Sequence, residues 1–329
     1  MEALPASLSQ FLNTLLAILI GVGGIVVLYV VMDSLVRLLP DNVQQRVRPW
    51  VYIGPLLFIL TFYLVYPTFN TIYLSFLDKR SENFVGLKNY IFAFTNPAMH
   101  IAFRNNILWL VLQTVFSVGL GLVIAVLANR VRYETAVKSF IFLPLAISFV
   151  GASVIWRFVY AFKPGDVPQI GLLNAVLVSL GVKPVGWFIE KAVNNFALIA
   201  VGVWLQTGFC MVVLSAAIKS IPAEIIEAAR IDGANEWQVF WRVTVPMISS
   251  TIAVVATTVI INALKAFDIV FVLTNGNRGT EVLANRMYKE MFSFRNTGRA
   301  SAIAVILLLA IIPIMAVNIR RFQEQEAMR

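Results

Sequence analysis

The stretch SIPAEIIEAARIDGANEWQVFWRVTVP, residues 220–246, decides the fold, because it is a long polar insert whose two flanks are both strongly apolar. Ser220 and Pro222 predict a helix start, with a capping hydroxyl and then a proline whose missing N–H costs little. Gly233 predicts the end of that helix, since glycine enters the left-handed conformation without a Cβ penalty. Asn235 predicts the start of a second short helix. We therefore expect two short helices, joined by a glycine bend, outside a membrane.

The composition is typical of a membrane protein. Of 329 residues, 59% are hydrophobic and 13% are charged, whereas soluble chains carry about 25% charged residues. The net charge of +9 is spread over every loop rather than gathered in a stripe, so no nucleic-acid partner is expected. A single cysteine, Cys210, excludes an internal disulfide, and with a single histidine, His100, no Cys/His metal cluster is expected.

Seven charge-poor apolar runs are each long enough to cross about 30 Å of hydrocarbon. They cover residues 11–32, 49–77, 105–128, 139–159, 193–218, 247–273 and 300–319. Several contain glycine or proline, which membrane helices tolerate because neighbouring helices satisfy the freed backbone groups. The sequence therefore predicts an all-α, polytopic membrane protein with about seven transmembrane helices.

Short charged segments predict the orientation. No basic residue precedes the first run, so this run is expected to be a retained helix and not a signal peptide. Arg37, Arg46 and Arg48 follow it, and basic residues also occur in the short loop 129–138 and near the C-terminus. Basic residues in short loops favour the cytoplasmic side. We therefore expect an external N-terminus, a cytoplasmic C-terminus, and a cytoplasmic position for residues 220–246.

The polar stretch resembles the EAA loop of bacterial ABC importer permeases. In that family Glu-Ala-Ala is followed by three residues, Gly, nine residues and Ile-x-Leu-Pro. Glu227, Ala228, Ala229, Gly233 and Pro246 keep this spacing, with valines in the places of the Ile and Leu. The complete spacing between two membrane spans makes this resemblance specific.

Further segments resemble the carbohydrate-uptake, MalF-like branch of the same family. Residues 83–90, NFVGLKNY, are similar to its external FVGLxNY signature, and the whole resemblance covers roughly residues 50–320. Shorter matches lie at 119–125, 142–144, 267–268 and 273–276. Residues 171–175 and 284–287 resemble the α-glucoside and osmolyte branch, which includes glucosylglycerol-like carriers.

The resemblance implies an organisation and a set of partners. It implies a six-helix type I permease core over residues 49–321, with a coupling loop at 219–246, an extra N-terminal helix and linker at 1–48, and a cytoplasmic tail at 322–329. The implied partners are a second permease subunit, an ATPase dimer docked on the loop, an extracytoplasmic solute-binding protein and a sugar-like solute. The implied location is the bacterial inner membrane.

The EAA resemblance assigns the loop a coupling role, in which closure of the ATPase dimer tilts the membrane helices. Small alanines permit close approach, a carboxylate accepts charge-assisted bonds, and the glycine permits the elbow. The alternative is an ordinary amphipathic helix on the membrane surface. The coupling residues are Glu227, Ala228, Ala229, Asp232, Gly233 and Pro246.

No catalytic residues are expected in this chain. It contains no G-x-x-x-x-G-K-[ST] motif and no Gly-Lys dipeptide that would cradle phosphates. ATP and Mg are therefore expected to bind to the partner ATPase, and this chain is expected to hold no cofactor or metal itself.

Polar side chains at membrane depth are the candidate solute contacts, because they are costly there unless they face a cavity or each other. Amides and aromatic rings suit a neutral polyhydroxylated solute. The candidates are Asn262, Gln206, Thr258, Gln113, Trp204, Lys265 and Asp268. The alternative is hydrogen bonding between helices, and for Lys265 and Asp268 ordinary interfacial placement.

The sequence thus predicts a permease subunit of an ATP-driven importer that carries an α-glucoside, a disaccharide or a glucosylated osmolyte. One alternative is an ABC permease for another solute, such as a polyol or a sugar phosphate. A metal-ion or amino-acid permease would share the EAA loop but not the FVGLxNY-like segment. An ion-coupled secondary transporter would need a buried carboxylate near the midplane, which the apolar runs do not supply.

Overall fold

The computed structural model describes residues 6–129, 131–165 and 167–327, and within these ranges it is helical without a β-strand. The chain divides into two compact units, residues 1–70 and 71–329. The sequence places a boundary at residue 48, which lies inside a continuous helix; that domain boundary stays a prediction.

The first unit holds two long helices that meet around one carboxylate. They are α1 (Ala6–Val36) and α2 (Asp41–Leu60), and a π-helical turn (Thr61–Val65) continues the second. Asp33 on α1 forms an ion pair with Arg37 at 2.8 Å and a second one with Arg48 on α2 at 3.2 Å. Tyr52 also donates to Asp33 at 3.2 Å. This polar cluster joins the two helices beside the short turn that connects them.

The remaining helices follow in chain order. The first group is α3 (Tyr66–Leu74), α4 (Lys88–Thr95), α5 (Pro97–Ala128), α6 (Glu134–Phe142), α7 (Phe149–Val159), α8 (Leu172–Ser179) and α9 (Asn194–Lys219). The second group is α10 (Ala223–Ile231), α11 (Glu236–Val239), α12 (Val245–Met247), α13 (Ser249–Leu264), α14 (Asp268–Leu273), α15 (Leu283–Tyr288) and α16 (Thr297–Ala327). Short 3₁₀ and π-helical turns lie at Leu143–Ala146, Phe240–Thr244, Asn277–Gly279 and Lys289–Ser293.

The core of the second unit is the contact between α5 and α9, with α13 packed against both. A glycine permits the close approach of α5 to α9. A Cβ built on Gly121 of α5 would lie 2.5 Å from the Cβ of Cys210 and 2.9 Å from the backbone nitrogen of Met211. The two helices therefore touch through backbone at this point, as small residues allow in membrane bundles.

Buried asparagines define one end of this unit, which we call the cavity end. Asn105 of α5 donates to the carbonyl of Gly279 and to that of Glu281, each at 2.7 Å. Asn106 donates to the carbonyl of Leu264 at 3.2 Å and accepts from the Leu283 backbone at 2.8 Å. The end of α13 and the segment before α15 therefore meet the start of α5.

A second polar cluster lies at the opposite end of α5, which we call the loop end. Asn129 accepts from Ser215 near the end of α9 and from Lys138 on α6, each at 2.7 Å. Glu134 on α6 forms ion pairs with Lys138 and, at 2.6 Å, with Lys219. The loop between α9 and α13, residues 220–248, leaves the bundle at this end.

Five helices in the described residues are long and apolar enough to span a membrane: Ser9–Val36, Asp41–Leu74, Pro97–Ala128, Asn194–Lys219 and Thr297–Val317. Two bent pairs raise the number to seven if each pair is one span. The predicted class, an all-α polytopic protein, is confirmed, and the count of about seven falls within the range of five to seven.

Two predicted runs are not continuous helices. The run 139–159 bends by 104° between α6 and α7, where Pro144 has no N–H to donate and Ile147 is extended. Ser148 then caps α7 through a 3.0 Å bond from the Gly151 backbone. Hydropathy measures only the apolar content of the run, so it does not report this bend.

The run 247–273 is also interrupted. A 71° bend precedes Ser249, and α13 ends at Leu264. The chain leaves helical geometry at Phe267, with φ −139° and ψ −62°, before α14 begins at Asp268. The interruption lies next to the cavity described below.

The FVGLxNY-like segment forms a tight loop between α3 and α4. Asn89 is buried and donates to the carbonyls of Ser75 (2.9 Å) and Leu77 (2.7 Å), which ties α4 to the end of α3. Asp78 accepts from the Asn83 side chain at 2.8 Å, and this bond, with the backbone N–H of Glu82, lowers the pKa of Asp78 to about 2. The asparagine of the motif is thus a structural residue of the loop.

Candidate functional site

The glycine bend in the loop at 220–246 has the geometry that the sequence predicts. Gly233 lies in the left-handed region at φ +84°. Its N–H donates to the carbonyl of Arg230 at 3.1 Å, and Ala234 donates to that of Ala229 at 3.0 Å. These two bonds form a Schellman motif, which satisfies the last carbonyls of α10 and turns the chain.

The start of α10 differs from the prediction. Ser220 does not cap the helix; its hydroxyl donates to the carbonyl of Ala217 at 2.8 Å, in the last turn of α9. The first residue of α10 is Ala223, and Pro222 precedes it without a side-chain cap. The hydroxyl bonds to α9 because Ser220 is the C-cap residue of that helix, with φ −80° and ψ −7°.

A reciprocal cap begins the second helix of the loop, as predicted for Asn235. Gln238 donates its backbone N–H to the Asn235 side chain, and the Gln238 side chain accepts from the Asn235 backbone, both at 2.9 Å. An ion pair of 2.9 Å between Arg230 and Glu236 links the two helices. Both pair members are about half exposed, so the backbone geometry contributes more to the shape than this ion pair.

The outer surface of the loop is apolar and exposed. Ile231 is 85% exposed, Trp237 is 69% exposed and Ile225 is 40% exposed. Glu227 and Ala228 are also exposed on α10. Exposed large apolar side chains on a rigid element are typical of a protein interaction surface.

The inner surface of the loop packs on the loop end of the bundle. Val239 is 5% exposed and Thr244 is 8% exposed. They line a small cavity of about 150 Å³ together with Ile226, Ile218 of α9 and Asn129 after α5. The loop is therefore a knob that contacts two membrane helices.

A cavity of about 200 Å³ lies at the cavity end, where α13 is interrupted, and we call it the polar cavity after the polar side chains in its partly apolar wall. Four of the predicted solute contacts line it together: Gln113, Asn262, Lys265 and Asp268. The sequence places Asn262, Lys265 and Asp268 on one apolar run and Gln113 on another, and the structure brings the two runs together at one site. Asn262 and Lys265 are exposed into this space, whereas Gln113 is buried.

Two buried polar atoms of the cavity wall have no hydrogen-bond partner among the described residues. They are Oε1 of Gln113 and Nε1 of Trp109, on two residues of α5 that line the cavity. A Cβ on Gly202 of α9 would come within 3.1 Å of both side chains, so the glycine makes room for them. Buried polar atoms normally find partners, so this pair marks a place for water or a polar ligand.

The other three candidates lie outside this cavity. Thr258 donates to the carbonyl of Val254 at 3.1 Å within its own helix, and Gln206 is 4% exposed inside α9. Trp204 lines a larger apolar cavity of about 770 Å³ between α5, α6 and α9, and it contacts Trp156 edge to face at 5.7 Å. Trp204 is therefore separated from the polar cavity and lies in an apolar one.

Sequence reasoning missed several residues of the sites. Trp109 and Phe149 line the polar cavity, but an aromatic residue in an apolar run carries no signal of its own. Two buried carboxylates at the cavity end were also missed: Glu281, 7% exposed, pairs with Lys289 at 2.7 Å, and the fully buried Glu290 pairs with Arg286 at 2.5 Å. The four-residue spacing of Arg286 and Glu290 was the available signal for that pair, whereas Lys289 lies eight residues from Glu281 and gave none.

The sequence of the chain matches a protein-family model that is consistent with this geometry. Residues 117–325 match the model for the "binding-protein-dependent transport system inner membrane component". The chain belongs to this family, and it is a multi-pass inner-membrane permease subunit of an ABC importer. Its curated relatives are likewise permease subunits of transporters.

Two relatives are similar over most of the chain. The chain is 66% identical over 279 residues to the "osmoprotective compounds uptake permease protein GgtC" of Synechocystis sp., covering 85% of this chain and 100% of the relative. It is 47% identical to the "alpha-glucoside transport system permease protein AglF" of Rhizobium meliloti, covering 85% of this chain and 83% of the relative.

A solved structure shares the fold. A chain of a bacterial ABC transporter involved in the import of the acidic polysaccharide alginate superposes with a TM-score of 0.72 at 22% identity. The match covers 85% of this chain and 99% of that chain. The family match and the two relatives confirm the resemblance to ABC importer permeases that the EAA spacing indicated, and the solved structure shows that the fold is shared.

Proposed function

We propose that this permease subunit carries a neutral carbohydrate, and that the polar cavity at the break between α13 and α14 is its solute contact. The observation that supports this most directly is the pair of partnerless buried atoms, on Gln113 and Trp109, in a wall shared with Asn262. A hydroxyl-rich solute both donates and accepts hydrogen bonds, so it can pair with an amide oxygen and an indole N–H.

The charges of the cavity favour a neutral solute. Lys265 and Asp268 line the same wall, and their formal charges cancel. The names of the two relatives, one for osmoprotective compounds and one for α-glucosides, support an α-glucoside, a disaccharide or a glucosylated osmolyte. The sequence of this chain supports the same solute class through residues 171–175 and 284–287.

The size of the cavity supports a paired permease. Its volume of about 200 Å³ is below the ~300–1,000 Å³ of ordinary small-molecule pockets. We infer that a second, different permease subunit completes the solute pathway from the exposed side of Asn262. The wall described here would then be one half of the site.

The loop knob supports the proposed contact with an ATPase dimer. Its exposed face presents Ile231 and Trp237 for apolar contact, with Glu227 and Asp232 as charged neighbours. The backbone is held by the Gly233 bend, and Pro246 lies where the knob rejoins α13. Small Ala228 and Ala229 allow close approach. ATP and Mg would be bound by that partner, and this chain would couple hydrolysis to helix motion.

The family description supports a solute-binding protein as the third kind of partner. We propose that it docks at the cavity end, outside the cell, while the loop end faces the cytoplasm. The N-terminus is then outside and the C-terminus inside, because the short basic segments favour the cytoplasm.

Uptake by the complex in liposomes, assembled with its ATPase, second permease and binding protein, tests the solute site. Asn262→Leu and Gln113→Leu are expected to lower glucoside uptake by about ten-fold each, because a buried polar contact that is lost costs about 1–3 kcal/mol. Basal ATPase activity should persist, since neither residue touches the loop knob.

Thr258→Val is the matched control, because its hydroxyl bonds within its own helix and lines neither cavity. Normal uptake by both leucine variants would place the solute site elsewhere. Transport of sugar phosphates or polyols in place of glucosides would refute the solute class and leave the permease assignment intact.

A further inference from the structure

A second cleft at the cavity end has no role in the solute pathway described above. It has a volume of about 640 Å³ and lies between α4, the turn after α15 and the start of α16. Its wall includes three cations from three separate parts of the chain, and the aromatic rings of Phe92 and Phe294. The cations are Lys79, Arg286 and Arg299.

Aromatic rings hold the two guanidinium groups in place. The guanidinium of Arg299 lies 3.8 Å from the centroid of Phe92, and that of Arg286 lies 5.1 Å from the centroid of Phe294. Such cation–π contacts fix the plane of a guanidinium without neutralising its charge. The donors of the two arginines are therefore oriented before any ligand arrives.

The charge of the cleft is not balanced by the protein. Among the described residues, Glu290 is the one acidic residue in its wall, and it pairs with Arg286 at 2.5 Å. Neither Lys79 nor Arg299 forms an ion pair among the described residues. Nε of Arg286 and Oε2 of Glu290, on the two members of that ion pair, are each buried without a partner among the described residues. The cleft therefore carries two uncompensated positive charges, on Lys79 and Arg299, which point to an anionic ligand.

The helix beside the cleft has the surface of an interfacial helix. One face of α4 supplies Phe92 to the cleft, while the opposite face exposes Ile91 (59%) and Phe94 (60%), in line with Leu87 (61%) at the N-cap of the helix. A short helix with one buried face and one exposed apolar stripe is typical of a membrane surface. An apolar chain and an anionic group would thus be bound side by side.

We propose that this cleft binds the headgroup of an anionic phospholipid. The phosphodiester would accept paired hydrogen bonds from Arg299 and a bond from Lys79, because a guanidinium fork matches phosphate geometry. The acyl chains would lie along the exposed stripe of α4. A zwitterionic lipid would bind more weakly, because its own cation would be repelled by the unbalanced charge of the cleft.

Lipid retention by the full-length chain in nanodiscs tests this site. The chain is reconstituted in equal parts phosphatidylglycerol and phosphatidylcholine, released into detergent, and analysed for bound lipid by native mass spectrometry. The wild type is expected to retain phosphatidylglycerol over phosphatidylcholine by about ten-fold, and Arg299→Gln with Lys79→Gln to abolish this preference. Lys79→Gln alone should reduce the preference for phosphatidylglycerol. Because Lys79 is exposed, this single variant also controls for misfolding of the double variant.

Lys88→Gln is the matched control, because Lys88 is an exposed cation at the start of α4 that lies outside the cleft. Equal retention of the two lipids by the wild type would overturn the proposal, as would an equal loss in the control. Tight binding of inorganic phosphate in lipid-free detergent, with no lipid preference, would assign the cleft to a free anion. Cross-linking of an acidic solute-binding protein at Arg299, with lipid retention unchanged in the variants, would assign it to protein docking.

Discussion

The side chain of Asn106 donates a hydrogen bond of 3.2 Å to the carbonyl of Leu264, the last residue of α13. The end of a helix leaves carbonyl groups without intrahelical partners, so this bond helps α13 to end inside the bundle. The same side chain accepts from the backbone of Leu283 at 2.8 Å. One buried amide therefore holds the break beside the polar cavity and the segment that follows it.

We expect Asn106→Leu to damage both stability and uptake. The change leaves the Leu264 carbonyl and the Leu283 N–H unpaired in the interior, at a cost of about 1–3 kcal/mol each. The break would shift, and with it Lys265 in the cavity wall. The thermal midpoint in nanodiscs and the glucoside uptake rate measure the two effects. Ile107→Val, at an adjacent side chain that is 62% exposed, should change neither. Wild-type behaviour of Asn106→Leu would show that the break forms without this bond.

The contact between α5 and α9 is tested by two glycines of one helix. Gly121→Ala would place a Cβ 2.5 Å from that of Cys210, so the helices must separate, at a cost of about 1–3 kcal/mol. Gly119→Ala meets nothing within 4 Å and should be neutral or slightly stabilising. Thermal unfolding in nanodiscs compares them. Equal thermal midpoints for the two variants would mean that α5 and α9 separate without a loss of stability.

The bend of the loop knob is tested at Gly233 with two side chains of different backbone preference. Its φ of +84° disfavours a β-branched residue, while asparagine adopts positive φ more readily. We expect Gly233→Val to insert normally but to lose most substrate-stimulated ATPase activity in the assembled complex. Gly233→Asn should retain most of it, because a Cβ here meets open space. If Gly233→Val retains as much substrate-stimulated ATPase activity as Gly233→Asn, the bend has no part in coupling.

The proposed orientation is tested by thiol labelling in intact spheroplasts. The natural Cys210 is buried and should give little background. A cysteine at Ser7 is expected to react with an impermeant reagent from outside, whereas a cysteine at the exposed Ser220 should react after permeabilisation only. The reverse pattern would invert the topology and move the lipid cleft to the cytoplasmic side.

Local chemistry explains which parts of the loop knob could be predicted. The Schellman bend at Gly233 and the cap at Asn235 involve residues within a few positions of each other, so the sequence contains all the groups that form them. The cap expected from Ser220 was wrong because its hydroxyl had a competing acceptor in α9, and the choice between two acceptors depends on where α9 ends.

Residues of the proposed solute site were partly predictable for a different reason. Polar side chains in apolar runs are rare, so Gln113 and Asn262 stood out, and the structure brings both to one cavity. The sequence does not distinguish a residue that lines a cavity from one that contacts another helix. Trp204 was therefore predicted alongside Gln113 and Asn262, but it lies in a different cavity.

The sequence by itself determined the all-α membrane class, because the free energy of burying apolar side chains in lipid is nearly additive along the chain. It also determined the Gly233 bend, through the absence of a Cβ. Only the tertiary structure decided where α13 stops and which polar groups share a cavity. Those features depend on hydrogen bonds and close approaches between distant segments, such as Asn106 with Leu264 and Gly121 with Cys210, whose geometry no local pattern encodes.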